Sequence, residues 1–182
     1  TSGWSNYIAS KPALFHDSLN TGARLCFTAN GDTHRRAPGL SGALTGIYAE
    51  ELTAEAILDA LRNRRCFATM GARIFVDTRA DGAIMGRDLT STDGTVKLTV
   101  SAIGTRPIVE ATLIRDGQKI RTVKGNGAHA FFATVTDDDL SSGTHWYYWR
   151  IHQERDAPVL PGNLMAAHGH LAWSTPHWVV VE

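Results

Sequence analysis

The pattern of apolar and polar positions changes near residue 72. Before that point, helix-like and strand-like stretches alternate, whereas afterwards apolar and polar residues alternate with a period of two. Since successive side chains of a strand point to opposite faces, a period of two predicts half-buried β-strands. The sequence therefore predicts an α/β segment over residues 1–72 and an antiparallel, immunoglobulin-like β-sandwich over residues 73–182.

The first segment has signals for helices and strands in turn. Ser10 as a cap and a proline in the first turn predict a helix over 11–22. An apolar run at 25–29 predicts a strand buried on both faces. Three further elements are predicted: a glycine-rich loop at 39–46, a short strand at 47–49 and a helix capped by Thr53.

Seven strands are predicted in the second segment, separated by turn signals such as Asp-Gly. They cover residues 73–78, 95–102, 109–115, 119–124, 129–135, 144–152 and 177–181. One of them carries an aromatic run, 146–149, in which alternate residues face opposite sides. At least one alternating pair is predicted to lie in the core, and a carbohydrate or peptide platform is the alternative for this run.

Composition narrows the classes of partner. The 18 basic and 18 acidic residues balance, which removes the electrostatic case for a dedicated nucleic-acid or anionic-membrane binder. No apolar run approaches the ~18–20 residues of a membrane span. The spacing of Cys26 and Cys66 matches no metal-binding motif. It favours two buried thiols over a disulfide or a metal site. The sequence leaves the compartment open between cytoplasmic and periplasmic or secreted.

The triplet Asp32-Thr33-His34 is the strongest candidate for chemistry. It follows a predicted buried strand, where open α/β sheets and barrels place active-site residues. Residues two apart in an extended segment point to the same side with Cα atoms ~6.5 Å apart, so Asp32 and His34 can face one ion or neighbouring ions. A carboxylate with an imidazole suits zinc, manganese or iron. A solvated or turn-capping pair is the alternative, because two ligands do not complete a metal site.

At these residues the sequence resembles the polymerase-and-histidinol-phosphatase (PHP) superfamily, in particular the carbaryl-hydrolase-like branch of metallohydrolases. Asn30-Gly31-Asp32-Thr33-His34 stands where the family usually has Gly-Ser-Asp-x-His. The similarity continues, in order, through residues 45–53, 60–69, 71–73 and 172–176. It implies that residues 1–72 are the end of a distorted β/α barrel and that Asp32 and His34 are metal ligands.

The sequence also departs from that family. Members carry an early His-x-His motif and further ligands on preceding barrel strands, which nothing before Asp32 supplies. We therefore expect this chain to be the C-terminal part of such an enzyme. The intact parent is expected to act on a small-molecule ester and to bind divalent zinc, manganese or iron ions. This chain alone is expected to bind metal weakly or not at all. No catalytic residue is identified, and Arg35 is a candidate to hold an anionic substrate, with a solvated arginine as the alternative.

Two functions follow from these patterns. The first is a C-terminal fragment of a metal-dependent hydrolase of phosphate or related esters, inactive on its own. The alternative is a non-catalytic β-sandwich that binds a partner, which alanine at Trp146 or Trp149 would distinguish by loss of binding without loss of fold. An apolar surface on residues 10–70 would also predict a homo-dimer through the N-terminal segment.

Overall fold

The computed structural model describes residues 13–31, 42–155 and 170–182. Two helices lie in these ranges, α1 (Ala13–Asn20) and α2 (Ala54–Arg62). The described strands are β1 (Ala43–Ile47), β2 (Cys66–Met70), β3 (Phe75–Ala80), β4 (Ala83–Ile84), β5 (Asp88–Ser91), β6 (Val96–Ile103), β7 (Ile108–Arg115), β8 (Gln118–Lys124), β9 (Ala130–Asp137), β10 (Gly143–Gln153), β11 (His170–Ser174) and β12 (His177–Val181).

The larger sheet has eight strands arranged around the long strand β10. One edge of β10 pairs with β7, which in turn pairs with β8. The other edge pairs with β11 along one half and β12 along the other. β2 and then β1 extend the sheet beyond β11, and β5 extends it beyond β12 in the parallel sense. β10 is therefore the centre of this layer.

The smaller sheet has the order β4-β3-β6-β9 and packs face to face with the larger one. Tyr147, Trp149 and Ile151 of β10 are fully buried between the two sheets. Alternate residues of β3 and β6 complete this core, including Val76, Leu98 and Val100. The predicted β-sandwich and all seven of its predicted strands are confirmed. Period-two alternation marks a sheet with one buried face, and β3, β6 and β9 of the smaller sheet show that burial pattern.

Residues 13–31, here called the covering segment, form a third layer on the outer face of the larger sheet. Leu19 of α1 is buried there against Trp146, Tyr148 and Trp178, with Phe27 packed beside them. Both alternating pairs of the aromatic run are thus buried, one pair between the sheets and one beneath the covering segment. The prediction of at least one core pair is confirmed.

The strand predicted at 25–29 is wrong, since this stretch has no regular strand pairing. The amides of Phe27 and Ala29 donate to the side-chain oxygens of Thr175 and Thr45, at 3.1 and 3.0 Å. Apolar residues are present because the stretch packs on the sheet, and not because it belongs to the sheet. The run of apolar residues could not separate these two cases.

The loop predicted at 39–46 and the strand predicted at 47–49 are corrected by β1, which occupies 43–47. Gly46 favours a loop in the sequence because glycine usually weakens a strand. Here a Cβ at Gly46 would lie 2.1 Å from Cζ of Phe67, so the aromatic ring of the neighbouring strand β2 requires the glycine.

β2 was not predicted, because all five of its residues are buried and show no alternation. It lies between β1 and β11, so the larger sheet takes strands from both sides of residue 72. Within 13–31 and 42–70 the strands are β1 and β2, and their pairings are antiparallel. The cap of α2 is confirmed, since the Thr53 hydroxyl accepts a hydrogen bond from the amide of Ala56.

Candidate functional site

The predicted site residues Asp32, His34 and Arg35 lie outside the described residues, which end at Gly31 and resume at Gly42. The structure describes what holds the chain on either side of them. It also shows three groups of side chains that attach the covering segment to the larger sheet.

The chain before Asp32 is fixed to β1 by one hydroxyl group. Thr45 Oγ1 accepts a hydrogen bond from the amide of Ala29 at 3.0 Å and donates one to the carbonyl of the same residue at 2.8 Å. The hydroxyl therefore satisfies both backbone groups of Ala29, a buried residue. This contact lies three residues before Asp32.

The chain after residue 41 is fixed by a contact between two glycines. The amide of Gly71 donates to the carbonyl of Gly42 at 3.0 Å. A Cβ on Gly42 would lie 3.3 Å from Cα of Gly71, and a Cβ on Gly71 would lie 2.4 Å from Cδ2 of His170. The close approach of backbone and imidazole explains why glycine is needed at 71, where φ is +81°.

His168 and His170 repeat the two-residue spacing of a metal-binding pair, but no Asp, Glu or Cys is near them in the sequence, which favours a solvated loop. For His170 that interpretation is wrong. His170 is the first residue of β11 and is 5% exposed. Its Nδ1 lies 3.4 Å from Nε2 of Gln153. His168 lies outside the described residues. Alternate residues of β11 are buried, but these are His170, Ala172 and Ser174, so no apolar alternation on the buried face marks this strand in the sequence.

The first attachment of the covering segment is aromatic. Nε2 of His16 lies 3.2 Å from the hydroxyl of Tyr148, and its ring centroid lies 5.2 Å from that of Trp146. The indole Nε1 of Trp146 donates to Oδ1 of Asn20 at 3.0 Å. Burial lowers the pKa of His16 below its ordinary value, which favours the neutral imidazole in this aromatic contact.

The second attachment is electrostatic. The guanidinium carbons of Arg24 and Arg64 lie 5.0 and 5.4 Å from the ring centroid of Trp178, which is fully buried. Asp88 pairs with both arginines, at 2.6 Å from Nε of Arg24 and 3.6 Å from the guanidinium of Arg64. Together these contacts join the covering segment, the end of α2, β5 and β12.

Arg62, Arg64 and Arg65 crowd the end of α2, where the helix dipole favours cations, so the sequence favours a structural role for them over an anion site. Arg64 also donates through Nε to the carbonyl of Gly86 at 2.9 Å, and Arg65 pairs with Asp59. These contacts support the structural interpretation for Arg64 and Arg65.

The third attachment joins the two cysteines, both of which are free thiols. Sγ of Cys66 lies 3.8 Å from the carbonyl oxygen of Phe27 and 3.8 Å from Oγ1 of Thr175. The neighbouring thiols of Cys26 and Cys66 affect each other's pKa, which is lowered for Cys26 and raised for Cys66. The expectation of buried thiols holds for Cys66, whereas Cys26 is half-buried.

The side chains that the structure describes do not form a metal site by themselves. Over 13–31, 42–155 and 170–182, no group of three or more His, Cys, Asp or Glu residues is placed to hold a metal ion. These residues on their own do not fit a metal site. In the same part of the chain, no helix has both the length and the apolar character needed to cross a membrane.

Comparison with known sequences gives a family match and distant relatives. Residues 5–104 match the family described as "Protein of unknown function (DUF3604)". An uncharacterized protein of Chlamydia trachomatis is 28% identical over 165 residues, covering 82% of this chain and 24% of the relative. One of Chlamydia muridarum is 26% identical with the same coverage. The chain thus spans about a quarter of the length of these curated relatives.

Comparison with solved structures gives remote similarities. The fibronectin(III)-like modules of Clostridium thermocellum CbhA are 15% identical, with 59% of this chain and 97% of theirs covered and a TM-score of 0.36. The CARDB domain of the Pyrococcus furiosus PF1109 protein is 11% identical, with 62% and 94% covered and a TM-score of 0.38.

Proposed function

The chain belongs to the DUF3604 family, and on that premise we propose that it is the C-terminal part of a metal-dependent hydrolase of phosphate or related esters. In this proposal the β-sandwich is a scaffold that holds the segment carrying Asp32 and His34. Asp32 and His34 are metal ligands, and Arg35 contacts the anionic substrate.

The observation that supports this proposal is the attachment of the chain on both sides of that segment. Ala29 is fixed to Thr45, and Gly42 to Gly71. Metal ligands must be held within about 0.5 Å of the productive geometry, and rigid strands achieve this better than free loops do. Attachment to β1 and to the end of β2 is what a scaffold of this kind requires.

The proposal assigns the remaining ligands to a part of the protein outside this chain. The described residues offer no group of three ligating side chains, and the curated relatives are about four times longer than their matched region. Divalent zinc, manganese or iron is the proposed cofactor of the intact parent. When bound, such an ion activates a water and stabilises negative charge.

Metal titration of the purified chain tests the proposed ligands. With Mn²⁺ or Zn²⁺ in a calorimeter, we expect weak binding that falls at least tenfold in Asp32→Asn and His34→Gln, since each loses one of two ligands. His129→Gln and Asp138→Asn are matched controls on exposed described positions and should bind like the wild type. Equal binding by all five proteins would contradict the ligand assignment.

The alternative function, a non-catalytic interaction module, is favoured by a separate observation. Phe75, Ile103 and Phe132 are 44%, 53% and 69% exposed. Phe75 and Ile103 are cross-strand partners of the smaller sheet, and Phe132 is diagonal to Ile103 on the edge strand β9. The aromatic run offers no such surface, because Trp146 is 3% exposed and Trp149 is fully buried.

For this alternative the proposed partner is a second copy of the chain, since one apolar patch can face its own copy across a two-fold axis. Sedimentation at increasing concentration should then show a dimer for the wild type and a monomer for Phe132→Ser. A monomeric wild type would contradict the alternative. A dimer unaffected by Phe132→Ser would instead favour the predicted contact through the N-terminal segment.

A further inference from the structure

Two thiols from distant parts of the sequence lie close together where the covering segment crosses the start of β2. Cys26 and Cys66 are 40 positions apart in the sequence. The backbone brings the two positions together, because Sγ of Cys66 lies 3.8 Å from the carbonyl oxygen of Phe27, the residue after Cys26. Each thiol also shifts the pKa of the other.

We propose that Cys26 and Cys66 form a reversible disulfide that locks the covering segment to β2, with a low-molecular-weight disulfide such as oxidised glutathione as the oxidant.

The two cysteines differ in accessibility, which assigns their order of reaction. Cys26 is half-buried and lies in a stretch without helix or strand, so a small disulfide can reach it from solvent. Cys66 is fully buried at the start of β2 and can be reached through Cys26. Cys26 is therefore the attacking thiol, and Cys66 is the resolving thiol.

The thiol–disulfide exchange takes place in two steps. The Cys26 thiolate attacks one sulfur of oxidised glutathione, the glutathione S–S bond breaks, and one glutathione thiolate leaves. The Cys66 thiol then loses its proton and attacks the sulfur of Cys26, which releases the second glutathione. The two protein thiols lose two electrons and two protons, and one glutathione disulfide becomes two glutathione thiols.

The surroundings of the pair support this order. The neighbouring Cys66 thiol lowers the pKa of the Cys26 thiol, and the positive charge of Arg64 acts in the same direction. The neighbouring Cys26 thiol, together with burial, raises the pKa of Cys66. Because the thiolate is the nucleophile, the first attack falls to Cys26. This inference does not depend on the proposed hydrolase function.

Intact-mass and peptide mapping of the purified chain in oxidised glutathione test the lock. The wild type should lose two hydrogens, retain no glutathione and yield a cross-linked pair of peptides containing Cys26 and Cys66. Reduction with dithiothreitol should restore both thiols, and the oxidised form should have the higher Tm. A chain that stays reduced, keeps glutathione on Cys26 or forms disulfide-linked dimers overturns the proposal.

Two serine variants check the assigned roles. Cys66→Ser should accumulate a stable glutathione adduct on Cys26, because no resolving thiol remains. Cys26→Ser should stay unmodified while folded, because Cys66 is buried. Modification of Cys66 in folded Cys26→Ser would overturn the order of reaction. Circular dichroism checks the fold of each variant. If either variant fails to fold, the peptide map of the wild type decides whether the disulfide forms.

Discussion

At the scale of single residues, His177 is an ionisable group placed inside the sandwich core. It is fully buried, and its Nε2 lies 3.3 Å from Oγ1 of Thr78 on the opposite sheet. Burial lowers the pKa of His177 to about 3, against an ordinary value of about 6.5. The imidazole is therefore neutral in the folded chain at pH 7 and links the two sheets.

This depressed pKa predicts that stability falls as the pH drops below 6.5. The unfolded chain binds a proton on His177 in that range and the folded chain does not, so the free energy of unfolding decreases until the folded pKa, about 3, is reached. Between pH 6.5 and 5 the loss from this group is about 2 kcal/mol. Urea denaturation over this range measures it.

His177→Gln should flatten the pH dependence while leaving a side-chain partner for Thr78. His129→Gln, at an exposed position, is the matched control and should keep the wild-type slope. An unchanged slope in His177→Gln would show that other groups cause the acid destabilisation.

At the scale of elements, the covering segment turns the sandwich into three layers. Its attachments involve residues far apart in sequence, such as the amide of Phe27 and Oγ1 of Thr175, which are 148 positions apart. Most of these bonds join backbone to side chain instead of forming a ladder. The segment therefore depends on a few polar contacts as well as on the burial of Leu19.

Thr45→Val should weaken this layer, because it removes the hydroxyl that serves both backbone groups of Ala29. We expect a loss of ~1–3 kcal/mol in the free energy of unfolding and faster hydrogen exchange at the Ala29 amide. Thr134→Val, on an exposed position of β9, is the matched control and should change neither quantity appreciably. Wild-type exchange at Ala29 in Thr45→Val would contradict the assigned role.

The same element marks how far the sequence could predict the fold. Alternation predicted the seven sandwich strands. The residue type at Thr53 predicted the cap of α2, because such a cap is a local hydrogen bond. β2 was missed because both of its faces are buried, and the stretch 25–29 was mistaken for a strand because packing on a sheet also selects apolar residues. The attachment points depend on tertiary contacts, which no local pattern encodes.

At the scale of the whole molecule, the larger sheet carries the sandwich core on one face and the covering segment on the other. That arrangement fixes the chain on both sides of residues 32–41, the part to which the sequence assigns metal chemistry. The assignment of Asp32 and His34 as metal ligands rests on a short motif and a family resemblance. It stays a prediction because both residues lie outside the described residues.

The central claim is that this chain completes a metal site whose other ligands are encoded elsewhere in the same protein. The most direct measurement is to read the natural coding sequence upstream of the codon for Thr1. The account predicts an in-frame His-x-His motif after a predicted strand, followed by further histidines and an acidic residue before Thr1. A start codon or an unrelated domain at that place would contradict it and leave the interaction module as the better account.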